Sequence, residues 1–232
     1  MLALPLLLAA CSAGVLGDST QASLKAAEGL WEYTDLITRD GESLPLTGIF
    51  LIKNDMFLQQ SIFKGDPFAE QGSMAHAGPY WAGGAGLRLR SNQTLSMDPT
   101  QKTPLSSAGA MEHDLKVTRD GKDLTLQFGG GTSTIQTFRH LSNAENTQII
   151  SFAKGNLALT ENYFILVNGD GNGAVTGYGS YERINDKLMM TAVRWAESDG
   201  TTVKNLRDVE LSATLSPSAF TLSDGRSFTI VD

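Results

Sequence analysis

The sequence predicts an all-β protein of antiparallel meander barrels, arranged as two tandem related copies. Three observations lead there. From Trp31 onward apolar residues recur with period two, the mark of strands with one buried face. Gly, Asp and Asn turn signals punctuate these segments at short, regular spacing, as in sandwiches and barrels. The second half of the chain also repeats features of the first in the same order.

Residues 31–38 make the first strand, ended by the turn signal Arg39-Asp40-Gly41. Residues 47–53 and 56–63 flank Asn54-Asp55, which predicts a tight hairpin. Strands follow at 73–81, 86–91, 110–118, 123–128 and 134–140, with Arg119-Asp120-Gly121-Lys122 and Gly129-Gly130-Gly131 between the last three. The second half continues at 148–152, 157–160, 163–167, 174–183, 187–195, 208–215, 219–222 and 227–231. No i, i+3, i+4 apolar pattern is sustained within residues 30–232, which argues against alternating strands and helices.

The repeat is visible residue by residue. Gly48-Ile-Phe-Leu-Ile-Lys-Asn-Asp-Met-Phe-Leu aligns with Gly155-Asn-Leu-Ala-Leu-Thr-Glu-Asn-Tyr-Phe-Ile at an offset of 155 − 48 = 107. Ala77-Gly78-Pro79-Tyr80 meets Tyr178-Gly179-Ser180-Tyr181 at 181 − 80 = 101, and Leu87 meets Leu188 at the same offset. Leu124-Thr125-Leu126 meets Phe220-Thr221-Leu222 at 220 − 124 = 96. Offsets that only shrink are what a duplication with loop deletions produces. Each copy carries about eight strands, the number that closes a barrel around side chains or one small ligand.

In the first copy, Gly29-Leu30-Trp31 opens the segment and Asp40-Gly41, the 48–63 hairpin and Ala77-Gly78-Pro79-Tyr80-Trp81 follow. Leu124-Thr125-Leu126 and Thr137-Phe138-Arg139 close it. Over residues 29–141 this resembles bacterial lipocalin-like domains of the calycin type. The resemblance implies that Trp31 packs across one barrel end with Arg139 stacked on it, a structural cation–π closure. It also implies that the barrel interior is the ligand site. Residues 142–232 keep the middle motifs but lack the opening Gly-x-Trp.

Composition bounds the function. Among 232 residues there are 18 basic and 25 acidic side chains, a formal charge of −7, and charged residues make up 19% against 41% hydrophobic. That balance belongs to a folded protein and argues against a nucleic-acid partner, which needs clustered Lys and Arg. A single cysteine, Cys11, excludes an intrachain disulfide. Residues 1–10 are apolar and too short to cross a membrane, which takes roughly 20 residues. With Leu8-Ala9-Ala10-Cys11 they resemble the lipobox of bacterial lipoproteins, which implies acylation of Cys11 and, with Ser12 next, outer-membrane sorting toward the periplasm. The alternative is an ordinary secretory signal and a soluble periplasmic or secreted product. The expected organisation is therefore a signal peptide over 1–10 and a flexible tether over 11–28, with a short helical stretch at 21–28. Barrels over 29–141 and 142–232 follow, or alternatively one larger barrel over 29–232.

Catalytic and metal motifs carry little. His76, His113 and His140 lie on different strands without His-x-His or His-x-x-x-His spacing, so no metal site is expected. Asn168-Gly-Asp170-Gly-Asn172-Gly173 matches half a calcium loop, but Gly179 stands where a bidentate Glu is required. Ser61-x-x-Lys64 and Ser151-x-x-Lys154 fall on strands, where Ser and Lys diverge. No motif calls for a cofactor. Strand alternation does place residues: if Tyr80 faces inward, Gly78 and His76 do too. Tyr80, Tyr181 and His76 are thus the candidate ligand contacts, although each tyrosine hydroxyl could instead bond a neighbouring strand. Arg88 and Arg90 share one face and Leu87 and Leu89 the other; inward arginines would suit an anionic head group, inward leucines would leave them solvated.

Three functions follow. The first is a membrane-anchored binding protein for a small apolar or amphipathic ligand in the bacterial envelope. The second is a structural envelope interaction protein with filled barrels, whose protein partners the sequence does not name. The third is a calycin-type cyclase or isomerase.

Overall fold

The computed structural model of the chain describes residues 13–63 and 65–231. The expected signal peptide, the lipidation site Cys11, Ser12 and the lysine of the Ser61-x-x-Lys64 pair lie outside the described residues. The remainder is two antiparallel β-barrels in tandem, the first closed and the second nearly so.

The first barrel begins after helix α1 (Ala13–Ala27) and contains β1 (Gly29–Ile37), β2 (Ser43–Leu44), β3 (Leu46–Lys53), β4 (Met56–Phe63), β5 (Ser73–Gly83) and β6 (Gly86–Ser91). It continues with β7 (Gln93–Met97), β8 (Leu105–Ala108), β9 (Met111–Asp120), β10 (Asp123–Phe128) and β11 (Ile135–Ser142). The wall runs β1-β3-β4-β5-β6-β9-β10-β11 and returns to β1, so eight strands close it without a free edge. Strands β7 and β8 extend the sheet beyond β6 along the first half of β5. The β3–β4 turn has both Asn54 and Asp55 at positive φ (53° and 59°), as a two-residue hairpin with right-twisting strands demands.

The second barrel contains β12 (Gln148–Phe152), β13 (Gly155–Leu159), β14 (Tyr163–Asp170), β15 (Gly173–Ile184) and β16 (Lys187–Ser198). It ends with β17 (Val203–Leu206), β18 (Val209–Leu215), β19 (Ala219–Leu222) and β20 (Ser227–Thr229). Its wall runs β12-β13-β14-β15-β16-β18-β19-β20. The Phe152–Ile230 bridge and the Val231 N–H, donating to the Ser151 carbonyl at 2.9 Å, bring the edges together.

Every aligned pair of the internal repeat falls on strands of equal rank: β3 with β13, β5 with β15, β6 with β16 and β10 with β19. Backbone detail repeats too. A Cβ on Gly48 would meet the Gln60 carbonyl oxygen at 1.9 Å, and one on Gly155 the Val167 oxygen at 2.1 Å. The same holds for Gly78 against Arg90 (1.9 Å) and Gly179 against Thr191 (2.0 Å), so glycine is required at each sharp bend. The Tyr80 N–H donates to Asp55 at 3.2 Å and the Tyr181 N–H to Asn162 at 3.1 Å.

The barrels share a seam. Outward-facing Leu51 and Leu58 pack in one buried cluster with Ala158 and Ile165, their counterparts in the second copy. Strands β3, β4 and β14 are accordingly buried on both faces, which explains their continuous apolar runs. Each barrel keeps its own interior as well, one around Phe50, Phe57 and Phe138, the other around Phe164, Trp195 and Phe220.

Two expectations are corrected. The segment expected as a tether is largely helix α1; it has no proline, and over 19–27 it is rich in good helix formers. Its last turn docks through Leu24 and Ala27 into the barrel-end cluster that holds Trp31. Trp31 is fully buried, and its indole N–H donates to the Ala27 carbonyl at 2.8 Å. The cation over its ring, however, is Arg119 at 5.0 Å, not Arg139. Arg139 lies on the outward face of β11 opposite Glu32, whereas neighbouring Phe138 points inward. Arg119 ends the inward face of β9 and also donates to the Ala26 carbonyl at 3.3 Å, where the α1 dipole favours a cation.

Candidate functional site

The first barrel is filled at one end and hollow at the other. At the α1 end, Trp31, Phe57, Leu87, Leu124 and Phe138 leave no space. Toward the opposite mouth, inward positions become small or polar, and a cavity of about 350 Å³ opens. Leu36, Leu46, Phe57, Phe63, Leu89 and Phe128 form its apolar wall.

Its polar groups fall into two sets. On one side the Gln59 amide donates to the Tyr33 hydroxyl, which donates to the Gln136 side-chain oxygen at 2.7 Å. Ser61 donates to the same Tyr33 oxygen at 3.2 Å. Burial holds the Tyr33 phenol far above its ordinary value, so it stays a neutral donor. Every member of this set is bonded to another member.

The second set includes a side chain bonded to no other. His76, on β5, contacts the Thr94 hydroxyl through Nδ1 at 3.0 Å. Burial, and secondarily the charge of His113, push the His76 imidazole down to about 4. Burial also lowers His113, which lines the cavity from β9 and packs edge-on against Phe128 at 5.4 Å between centroids. Ser91, almost fully buried, lines the cavity with a hydroxyl that has no protein partner. No Asp, Glu, Lys or Arg among the described residues lines this space. Leu87 and Leu89 face inward, while Arg88 and Arg90 are exposed on the outer face.

Of the sequence-predicted ligand contacts, His76 alone lines the cavity. Tyr80 does point into the barrel, as the alternation requires, but at the filled end. There its hydroxyl donates to the Glu28 carboxylate at 3.0 Å, and burial, with Glu28 beside it, raises the phenol well above its ordinary value. The Tyr181 hydroxyl donates to the Thr160 carbonyl at 2.6 Å. Both tyrosines therefore tie strand ends together. His140 sits against Trp31 at 5.0 Å, remote in function from the other two histidines. Asp170 of the calcium-like loop pairs with Lys154 at 2.7 Å and accepts the Asn172 N–H in an ordinary hairpin turn.

Residues that sequence reasoning missed emerge from comparing the copies. Tyr80 and Tyr181 set the local offset at 101. By that offset His76 matches Gly177 (177 − 76 = 101) and Thr94 matches Trp195 (195 − 94 = 101). Both pairs are direct cross-strand partners, His76 with Thr94 and Gly177 with Trp195. In the second barrel the Trp195 ring packs against Gly177, where an added Cβ would meet Cε3 at 2.3 Å. The indole N–H donates to Glu197 at 2.6 Å, and Arg226 pairs with that same carboxylate at 2.8 Å. The second interior is thus corked where the first is hollow.

One rim of the hollow is held from across the seam. Residues 65–72 join β4 to β5, whose adjoining residues Phe63 and Met74 line the cavity. Arg194, nearly fully buried, donates to the Gln71 side-chain and backbone oxygens, both at 3.2 Å. Asn205 donates to the Ala69 and Gln71 carbonyls at 3.0 and 2.9 Å. Phe68 lies between Arg194 (4.5 Å) and Arg207 (4.9 Å). Gln93, the counterpart of Arg194, reaches the other way, to the carbonyls of Lys154 and Gly169.

Compared with known proteins, the chain matches no family model, and neither a curated protein nor a solved structure is significantly similar to it.

Proposed function

We propose that this chain is a binding protein that holds a small apolar or amphipathic molecule inside its first barrel, in the manner of a lipocalin-like domain. The observation that carries the reading is the contrast between copies. At equivalent cross-strand positions the first barrel has His76 and Thr94 beside a cavity, and the second has Gly177 beneath Trp195. An apolar wall with a few convergent polar groups is the usual make-up of a small-molecule site. The second barrel, filled at that level by Trp195 and open elsewhere in a pocket of about 490 Å³ lined by Glu197, Asp199, Lys204 and Arg226, serves as support. The lipobox-like Leu8-Ala9-Ala10-Cys11 favours attachment to a bacterial envelope membrane through acylated Cys11.

The test transplants the cork. In His76→Gly/Thr94→Trp the first barrel receives the pair that fills the second. Uptake of 1-naphthylamine, a small neutral fluorophore whose emission moves to the blue in apolar surroundings, should fall to background while the β-type circular dichroism persists. Undiminished uptake by a folded double variant would refute the reading.

A further inference from the structure

The cavity of the first barrel is selective in a way that follows from its chemistry. Resting on the binding reading above, we infer that its ligand is a compact, uncharged amphiphile, such as an alcohol, amide or ketone, whose head group hydrogen-bonds beside Ser91 and His76.

Three observations carry this. The first is the want of any countercharge. Among the described residues no ionised side chain lines the cavity, and the nearby arginines, Arg88 and Arg90, stand on the outer face of the same wall. A carboxylate or ammonium entering it would shed water without gaining a partner, a cost of several kcal/mol per ion.

The second is where bonding capacity remains open. Tyr33, Gln59, Ser61 and Gln136 bond chiefly to one another, and both the tyrosine and the serine hydroxyl have partners. Farther round the wall, beginning with the cross-strand partner of Gln59, His76 uses only Nδ1, on Thr94, and the Ser91 hydroxyl is buried without a partner. A buried hydroxyl without a partner is costly, so a guest that bonds it recovers that cost on entry. A serine and a neutral imidazole can each donate or accept, which suits a hydroxyl, amide or carbonyl head.

The third is size. About 350 Å³ corresponds to roughly a dozen waters of liquid volume, so the guest has on the order of a dozen non-hydrogen atoms. Long-chain fatty acids exceed that.

The experiment compares matched probes of nearly equal size by calorimetric titration of the full chain at pH 8: nonanamide, decan-1-ol, decanoate and decylammonium. The two neutral probes should bind at least about tenfold more tightly than either ion. Ser91→Ala should weaken nonanamide severalfold more than it changes uptake of 1-naphthylamine, and should hold or raise the melting midpoint, because it removes a buried hydroxyl without a partner. Decanoate binding as tightly as nonanamide would overturn the inference while leaving the cavity as the site. Failure of all four probes and of the fluorophore, or uptake indifferent to both His76→Gly/Thr94→Trp and the smaller Ser91→Val, would overturn the binding reading itself.

Discussion

His76 makes stability depend on pH in a window that can be assigned to one residue. In the folded chain its imidazole titrates at about 4 rather than the ordinary 6.5, because burial in the cavity penalises the cation. As pH falls below 6.5 the unfolded chain takes up the proton and the folded chain does not. The contribution is therefore fully present above pH 6.5, drains away between 6.5 and 4, and is constant below that. At pH 5 the loss from this residue is about 2 kcal/mol relative to pH 7.5. His113 and His140 shift the same way and add to the slope. The carboxylates with lowered values, Asp98, Glu161, Asp170, Asp199 and Asp224, act in a more acidic range, so they do not disturb this window. Urea unfolding of the native chain and of His76→Gln at pH 7.5 and 5 isolates the effect, because glutamine retains a partner for Thr94 without titrating. The native chain should lose about 2 kcal/mol more than the variant between the two conditions. Equal losses would show that His76 is not held neutral by the cavity.

Three further outcomes are expected. Trp195→Ala should cost about 3–5 kcal/mol in urea unfolding, since it empties the second barrel above Gly177 and leaves Glu197 without its indole donor. A loss below 1 kcal/mol would mean that the ring is not a cork. Calorimetry of the full chain should show one cooperative transition, and a 13–142 fragment should aggregate, because Leu51, Leu58 and Leu95 of the seam become exposed. Two resolved transitions would show that the seam couples little. Cys11→Ser should shift the protein from the membrane pellet to the soluble fraction, since acyl chains anchor by burying methylenes at about 0.8 kcal/mol each; persistence in the pellet would remove the lipobox reading.

Much of the architecture was legible because strands announce themselves locally. Asn54-Asp55 encodes its own hairpin, and period two correctly grouped His76 and Gly78 with Tyr80 on one face and set Arg88 and Arg90 against Leu87 and Leu89; the structure decides which face is inward. The repeat was legible for a related reason: the bends at Gly48 and Gly155 forbid any side chain. What escaped depends on depth along the barrel axis. Alternation tells which face a residue takes but not how far from the mouth it lies. Tyr80 and His76 share a face, yet one seals the barrel floor and the other lines the hollow. Arg119 and Arg139 differ in face instead: Arg139 points outward beside inward Phe138, while Arg119 ends the inward face of β9 and meets Trp31 where α1 docks. The one signal that could have located the cavity was in plain sight: extending the Tyr80–Tyr181 offset sets His76 and Thr94 against Gly177 and Trp195.

The grip of the second barrel on Gln71 separates two properties that a single barrel would keep together. Residues 65–72 adjoin Phe63 and Met74 of the cavity wall, yet Arg194 and Asn205, which hold them, do not line the cavity. Affinity at equilibrium depends on groups that meet the guest; the traffic across the rim depends on how often that segment lifts. On the proposed binding reading, loosening Arg194 would speed arrival and departure together and leave Kd in place. Tightness of binding would then be set in one copy of the repeat, and residence time in the other.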